Sequence, residues 1–415
     1  MTDEQASTHA EATPRPPAPR TRPTRRTVLK AIGISGGAVL VTAVAGIGIR
    51  GGVNGVWNQG TGEPYALWSR WQDAPGLQAI VAAGVLAANP HNMQPWQFAL
   101  DDAIDIYLDP ARAMPITDSD ERERIAGIGC AIENMIIAAR TRSLDTTVTL
   151  WPDADPDHVA RLTFRPGNGP TDRERALADA IALRHTNRGP YTSSALSAIE
   201  LAGLTPDALE GVGVVWVSDP DQVRRLGELY VEATEAIVGD PDMSVEGFSW
   251  FRNDRVDIDR HRDGLTLDCQ GLDGFTLFMA KTLPAQSRAD GDRFWVTATR
   301  DVHTATAAAY GVICVPDTAN PEQRLHGGRL LQHVHLAATT AGLGLHHMNQ
   351  ITERITRDAA QQYPDRFSAR WSDIIGIPAQ EGLVSFRIGH PARLPNPSPR
   401  RRLPDVLTPT TGTIR

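Results

Sequence analysis

At 415 residues the chain is long enough for two domains or one large fused unit, and its 41% apolar content is that of an ordinary globular protein. A formal net charge of -8, with Lys30 and Lys281 the only lysines among 41 basic residues, excludes a general nucleic-acid binder, which would carry a basic stripe. Cys130, Cys269 and Cys314 form neither a disulfide framework nor a metal spacing, so no metal is expected. Cys130 and Cys314 sit in apolar runs and read as small buried hydrophobes.

Residues 1–24, rich in Pro, Ala, Thr and Arg, read as a disordered leader. Residues 25–50 come next, with Arg25-Arg26-Thr27-Val28-Leu29-Lys30 ahead of 19 residues without a charge, Ala31 to Ile49. The layout resembles a twin-arginine export signal, with Ala43-Val44-Ala45 as a small-x-small cleavage site. The same apolar length also suits a membrane anchor through residues 31–49. The expectation is export by this signal, or anchoring in the cytoplasmic membrane facing outward.

Leu77, Ile80, Val81, Gly84, Val85 and Ala88 keep the rhythm of a helix with one buried face, and Asn89-Pro90 stops it. The motif Asn89-Pro90-His91-Asn92-Met93-Gln94-Pro95-Trp96-Gln97-Phe98 follows. Pro90 and Pro95 stiffen a loop that presents two neutral amides, Asn92 and Gln94, each able to donate and accept. His91 reads either as a proton donor or as a partner of a nearby carbonyl, and Trp96 as a core residue. Ile104, Ile106 and Leu108 alternate, which predicts one strand over 98–108. A buried helix over 125–141 and strands over 148–150 and 159–164 come next. Thr171-Asp172-Arg173-Glu174 fits a capping box, and its helix runs towards Arg184-His185-Thr186-Asn187-Arg188-Gly189-Pro190-Tyr191. Arg184 and Arg188, with Thr186 and Asn187 between them, suit a phosphate, or are solvated arginines at a helix end.

The segment Met243 to Leu283 departs from regular patterning and reads as a lid over a site or a surface excursion. Gly342 to Gln350 carries His346 and His347, which as neighbours on an extended segment point to opposite faces and argue against a metal. A basic patch, Ser398-Pro399-Arg400-Arg401-Arg402, lies near the C-terminus. No Gly-rich dinucleotide fingerprint, P-loop or Gly-x-Ser-x-Gly elbow occurs. The chain also repeats itself: residues 129–144 align without gaps on 328–343, with five identities and three aliphatic exchanges at an offset of 199.

The 89–98 and 184–191 segments resemble the two flavin-holding motifs of the nitroreductase-like FMN-binding family. The usual Pro-Ser ahead of the Asn is replaced here by Asn89-Pro90-His91. In ordinary nitroreductases the two motifs come from different subunits of a homodimer, whereas here both lie on one chain. The resemblance spans roughly residues 60–408 and is nearest the fused-dimer, Acg-like branch. It implies an α+β fold of two tandem halves, 51–167 and 168–408. These would form a pseudo-dimer with mixed sheets packed on central helices, of which 129–144 and 328–343 are the candidates. It implies FMN held by Asn92, Gln94, Arg184, Thr186 and Arg188, with Met348 and Asn349 beside the ring and Arg400 and Arg401 reaching the phosphate. The implied activity is an exported or membrane-tethered FMN-dependent oxidoreductase acting on a nitro, quinone or alkene acceptor, with a donor the sequence does not identify. The alternative is a flavin-binding or flavin-sequestering protein with little turnover.

Overall fold

Helix α1 (Gln78–Val85) buries every residue from Ala79 to Val85. It ends before Ala88 because the carbonyls of Val85, Leu86 and Ala87 accept from arginine side chains instead of continuing the helical ladder. The structure, a computed structural model, describes residues 51–206 and 211–408. The leader and the signal or anchor of residues 1–50 therefore lie outside the described residues. Among the described residues no helix is long and apolar enough to cross a membrane.

The strand expected over 98–108 is a hairpin, β1 (Trp96–Leu100) and β2 (Ile104–Leu108), reversed at Asp101–Ala103. Asp101-Asp102 interrupts the apolar alternation, and these are turn residues. Helix α2 (Arg122–Arg140), β3 (Leu144–Leu150) and β4 (His158–Pro166) complete the first half. Helix α3 (Asp172–Ile181) opens with both bonds of the expected capping box, Thr171 and Glu174 each serving the other's backbone.

The sheet of the second half begins at β5 (Gly213–Val217), followed by α4 (Pro220–Val238). The irregular stretch then proves to be built of short pieces: α5 (Pro241–Ser249), the two-residue strands β6 (Phe251–Arg252) and β7 (Leu265–Thr266), and α6 (Gly274–Thr282). Helix α7 (Arg288–Ala298), β8 (Ala309–Cys314), α8 (Pro321–Thr340), β9 (Gly344–His347), α9 (Gln350–Ala360) and β10 (Gly382–Gly389) follow. A last strand, β11 (Leu407–Thr408), pairs parallel with β1.

The two sheets repeat one topology. The first runs β11-β1-β2-β4-β3 and the second β5-β8-β10-β9. Setting β1, β2, β3 and β4 against β5, β8, β9 and β10 makes strand order and pairing the same in each half, all antiparallel. Only the added β11 makes the first sheet mixed; the second is wholly antiparallel, against the expectation of two mixed sheets. The C-terminal strand also returns to the first half's sheet, so the halves are not cleanly split at residue 167.

Helices α2 and α8 carry the repeated segments and pack against each other. A Cβ on Gly129 would meet the Leu325 carbonyl oxygen, and one on Gly328 the Ala126 carbonyl oxygen. At an offset of 199, Leu325 is the counterpart of Ala126, so the two close approaches are mirror copies. Glu133 bonds His333, the counterpart of Asn134, while Asn134 bonds Gln332, the counterpart of Glu133. Residue i meets j and j meets i, the signature of a twofold interface, here within one chain.

Candidate functional site

A cavity of about 300 Å³, at the lower end of the small-molecule range, opens beside this helix pair. Both halves build it. The first supplies Ala88 to His91 and, from α2, Glu123, Gly127 and Cys130; the second supplies Thr186, Arg188, His303, His346, His347, Asn349 and Glu353. The irregular segment lines it with Met243, Phe248, Phe251, Leu265, Thr276 and Ala280, so that stretch covers the cavity. The loop at its wall is strained: His91, Asn92 and Gln94 all have positive φ, at 48°, 53° and 54°. Such backbone persists only where surroundings over-determine it.

Arg188 reaches the cavity because Arg387, on β10 and fully buried, holds its loop. Arg387 donates to the carbonyls of Gly189 at 2.8 Å, His303 at 3.1 Å and Asn187 at 3.2 Å, and lies 4.2 Å over the Tyr191 ring. Arg188 itself donates to the Cys269 carbonyl at 3.3 Å and, among the described residues, has no carboxylate partner. Replacing Arg387 with Met keeps most of the volume but removes a donor from each of those carbonyls, of which only that of Asn187 is shown to keep another, the Tyr191 hydroxyl. A loss of about 3 kcal/mol is expected, read as a lower urea midpoint at unchanged slope. A loss under about 1 kcal/mol would show that the loop is held by something else.

Of the residues the resemblance assigns to FMN, Thr186, Arg188 and Asn349 line the cavity. Six other implied cofactor residues do not, and apart from Arg184 Nε, which is buried without a partner, the polar side chains among them are engaged with the protein. Asn92 donates to the carbonyls of Gly264 and Pro399, and Gln94 to that of Arg262. The two amides therefore clamp the covering segment and the C-terminal tail. Arg184 and Arg400 donate to the carbonyls at the C-terminal end of α1, where the helix dipole favours a cation, and both lie over the Trp68 ring. Arg401 pairs with Asp109 at 3.2 Å and donates to the Trp96 and Gln94 carbonyls. Met348 is fully buried in the core beside α4. Trp96 is fully buried, as read from the sequence; Cys130 is buried on the cavity wall, and Cys314 is half-buried.

The cavity wall has two electrical characters. Around the arginines six imidazoles are held neutral, four of them (His91, His303, His346 and His347) on the wall itself, chiefly by burial and then by neighbouring arginines and imidazoles. His91 is pushed down to about 4, and His185 and His347 to about 3; His303, His335 and His346 lie well below the ordinary value. His303 Nδ1 and His347 Nε2 are buried without a partner. Elsewhere on the wall, burial raises the carboxyls of Glu123 and Glu353, the latter to about 7. No metal-holding cluster occurs among the described residues.

Sequence reasoning missed His303, Arg387, Glu123 and Glu353. His303 sits in a π-turn, Thr299–Thr304, an irregularity common at functional sites but without a sequence signature. The two Glu lie on helices 230 residues apart and meet only once the halves pack.

This fold, with its duplicated sheets about a paired helix core, is a nitroreductase-like α+β fold. No family model matches the chain. It is similar to a Mycobacterium tuberculosis protein named NAD(P)H nitroreductase acg, 32% identical over 117 residues, covering 28% of this chain and 35% of that one. It is also similar to that organism's NAD(P)H nitroreductase Rv3131, 27% identical over 166 residues, covering 39% and 48%. An uncharacterized protein of the same organism, Rv3127, is 24% identical over 353 residues, covering 81% of this chain and 95% of its own length. The chain thus spans a third to a half of the first two relatives. The solved structure of the FMN-dependent nitroreductase NfnB from Mycobacterium smegmatis shares 19% identity over 59% of this chain, with a TM-score of 0.35. Over these parts of its length the chain is similar to proteins named as nitroreductases, acg among them.

Proposed function

We propose that this chain is an FMN-dependent oxidoreductase of nitroreductase type, with the flavin in the cavity between its halves. The observation that carries the reading is the cationic wall. Arg188 lines the cavity without a carboxylate partner of its own, beside the Thr186 hydroxyl and two imidazole nitrogens with no partner, while Glu123 and Glu353 sit elsewhere on the wall. Buried polar groups are ordinarily satisfied, so such a wall calls for an anionic, acceptor-rich guest. A flavin phosphate meets the Arg fork and the hydroxyl, and the pyrimidine edge of the ring offers acceptors and a donor to the imidazoles.

When bound, FMN supplies the two-electron redox chemistry. The chain's own residues then bind and exclude water. Arg188 and Thr186 hold the phosphate, the neutral imidazoles of His303 and His347 meet polar atoms of the flavin, and the covering segment closes the space. The acceptor is a small molecule of nitro, quinone or alkene type, and the relatives' names support a nicotinamide donor. Residues 25–50 support export or membrane tethering, which fractionation of cells expressing the full chain would test.

The test is a binding comparison. Arg188→Met should weaken FMN binding about 10- to 100-fold, as expected for charge-assisted bonds, and leave riboflavin, which lacks the phosphate, within about threefold. Equal losses for both flavins, or a wild-type protein that binds neither, would refute the reading.

A further inference from the structure

Glu123 on α2 and Glu353 on α9 come from opposite halves and meet on the cavity wall. Their carboxyls are in hydrogen-bond contact with each other, and Glu123 also accepts from the Asn349 amide. Two carboxyl oxygens form such a contact only when one carries a proton. The strongest other charges acting on the pair are acidic. Asp118 lies on the loop before α2, and Glu246 lies on α5 of the covering segment. Asp118 accepts from the backbone N–H of Glu123 and Arg124, at 2.9 and 2.8 Å. Glu246 accepts from those of Ile116 and Thr117, at 3.0 and 2.6 Å. Burial, followed by repulsion from Asp118 and Glu246, pushes Glu353 up to about 7, while its hydrogen bond with Glu123 acts the other way.

A second observation points to a guest. One turn before Glu353, Gln350 lines the same cavity, is 4% exposed, and its amide oxygen has no partner. A buried acceptor with nothing to accept stands beside a pair that carries an O–H.

We propose that Glu123 and Glu353 share one proton and deliver it to a quinone-type acceptor reduced in this cavity, with the Gln350 amide oxygen receiving the hydroxyl formed. The inference rests on the FMN reading above, with a reduced flavin as the hydride source. The quinone gains a hydride, two electrons and one hydrogen, and becomes an anion. The O–H bond of the Glu pair breaks, its proton forms an O–H bond on the acceptor oxygen, and a hydroquinone results. The pair, left doubly ionised, regains one proton from water. Of the three acceptor classes, the quinone yields the hydroxyl donor that Gln350 lacks in a single two-electron reduction; a nitro group first loses water and gains an N–OH only on a second reduction, and an alkene gains only C–H bonds.

Two measurements test this on the full chain. Isotope-edited infrared spectroscopy at pH 7 should show a protonated carboxylic acid in the wild type. The band should be lost in Glu353→Gln and equally in Glu123→Gln, whether or not flavin is bound. In stopped flow, reoxidation of the reduced protein by p-benzoquinone should slow about 100-fold or more in both variants, as for loss of a general acid. The half-saturating quinone concentration should stay within a few-fold and rise in Gln350→Leu. Absence of the band in the wild type overturns the shared proton even if a variant fails to fold. Reoxidation within tenfold of wild type overturns the delivery. A protein that shows the band but binds no flavin refutes the FMN reading and the delivery together, and leaves the shared proton standing.

Discussion

Acidification from pH 7 to pH 5 should destabilise this protein by several kcal/mol, and a phosphate-bearing flavin should protect it. The cause is the set of six neutral imidazoles around Arg184, Arg188 and Arg387. Each has a native proton affinity below its unfolded value of 6.5, down to about 4 for His91 and about 3 for His185 and His347. As pH falls below 6.5, such a histidine binds its proton only on unfolding. Stability is present in full above that value and lost progressively towards the native one. At pH 5 each histidine costs on the order of 2 kcal/mol, and six together rival the whole stability of a typical domain. Carboxyls oppose them. Glu353, Glu123 and Asp118 take up protons in the native state first, so each strengthens the fold as pH falls from about 7 towards the unfolded range near 4.5. Three such groups cancel about half the loss, and the net slope remains destabilising. A dianion beside Arg188 offsets the positive field that holds the imidazoles neutral. Saturating FMN should therefore shift the acid transition to lower pH, and riboflavin should shift it less. A urea midpoint flat between pH 7 and pH 5 would show that these histidines are not neutral in the native state.

The same residues show how far the sequence could be read. The helix pair was legible because residues 129–144 and 328–343 still share glycines and small residues, and packing between helices constrains just those positions. Thr186, Arg188 and Asn349 were legible as cavity residues from two local motifs. Asn92, Gln94, Arg184, Arg400 and Arg401 carry the chemistry expected of cofactor ligands, yet each is engaged with carbonyls or an acid of the chain itself. A motif specifies which donors are present and not where they point. That depends on the covering segment and the tail, which come from residues about 170 and 300 positions further along and have no periodicity to announce them. Arg387 was hidden for a related reason: within a strand buried along its whole length it looks out of place until the loop carbonyls it serves are known.

Gly328→Ala should cost about 3 kcal/mol, although alanine is the better helix former by about 1 kcal/mol. At this position the added methyl meets the carbonyl oxygen, carbonyl carbon and Cα of Ala126, all backbone of the facing helix. No rotamer change can relieve that, so α2 and α8 must separate, and the bonds across the seam stretch with them. Those bonds include the 2.7 Å contact from Gln332 to Asn134 and the 3.1 Å contact from Arg329 to Glu133. Gly129→Ala should cost a similar amount, since it meets Leu325 and Gly328 backbone in the corresponding place. Because both methyls push the same two axes apart, the double variant should cost clearly less than the sum of the singles, which for distant sites would add. Gly203→Ala, at the end of the short helix Ala198–Gly203 with nothing within 4 Å of its Cβ position, is the control and should be neutral or slightly stabilising. Urea midpoints for the four variants decide the matter. Full additivity of Gly129→Ala and Gly328→Ala would mean that the two sites are relieved independently, and the twofold seam would then not be one rigid contact.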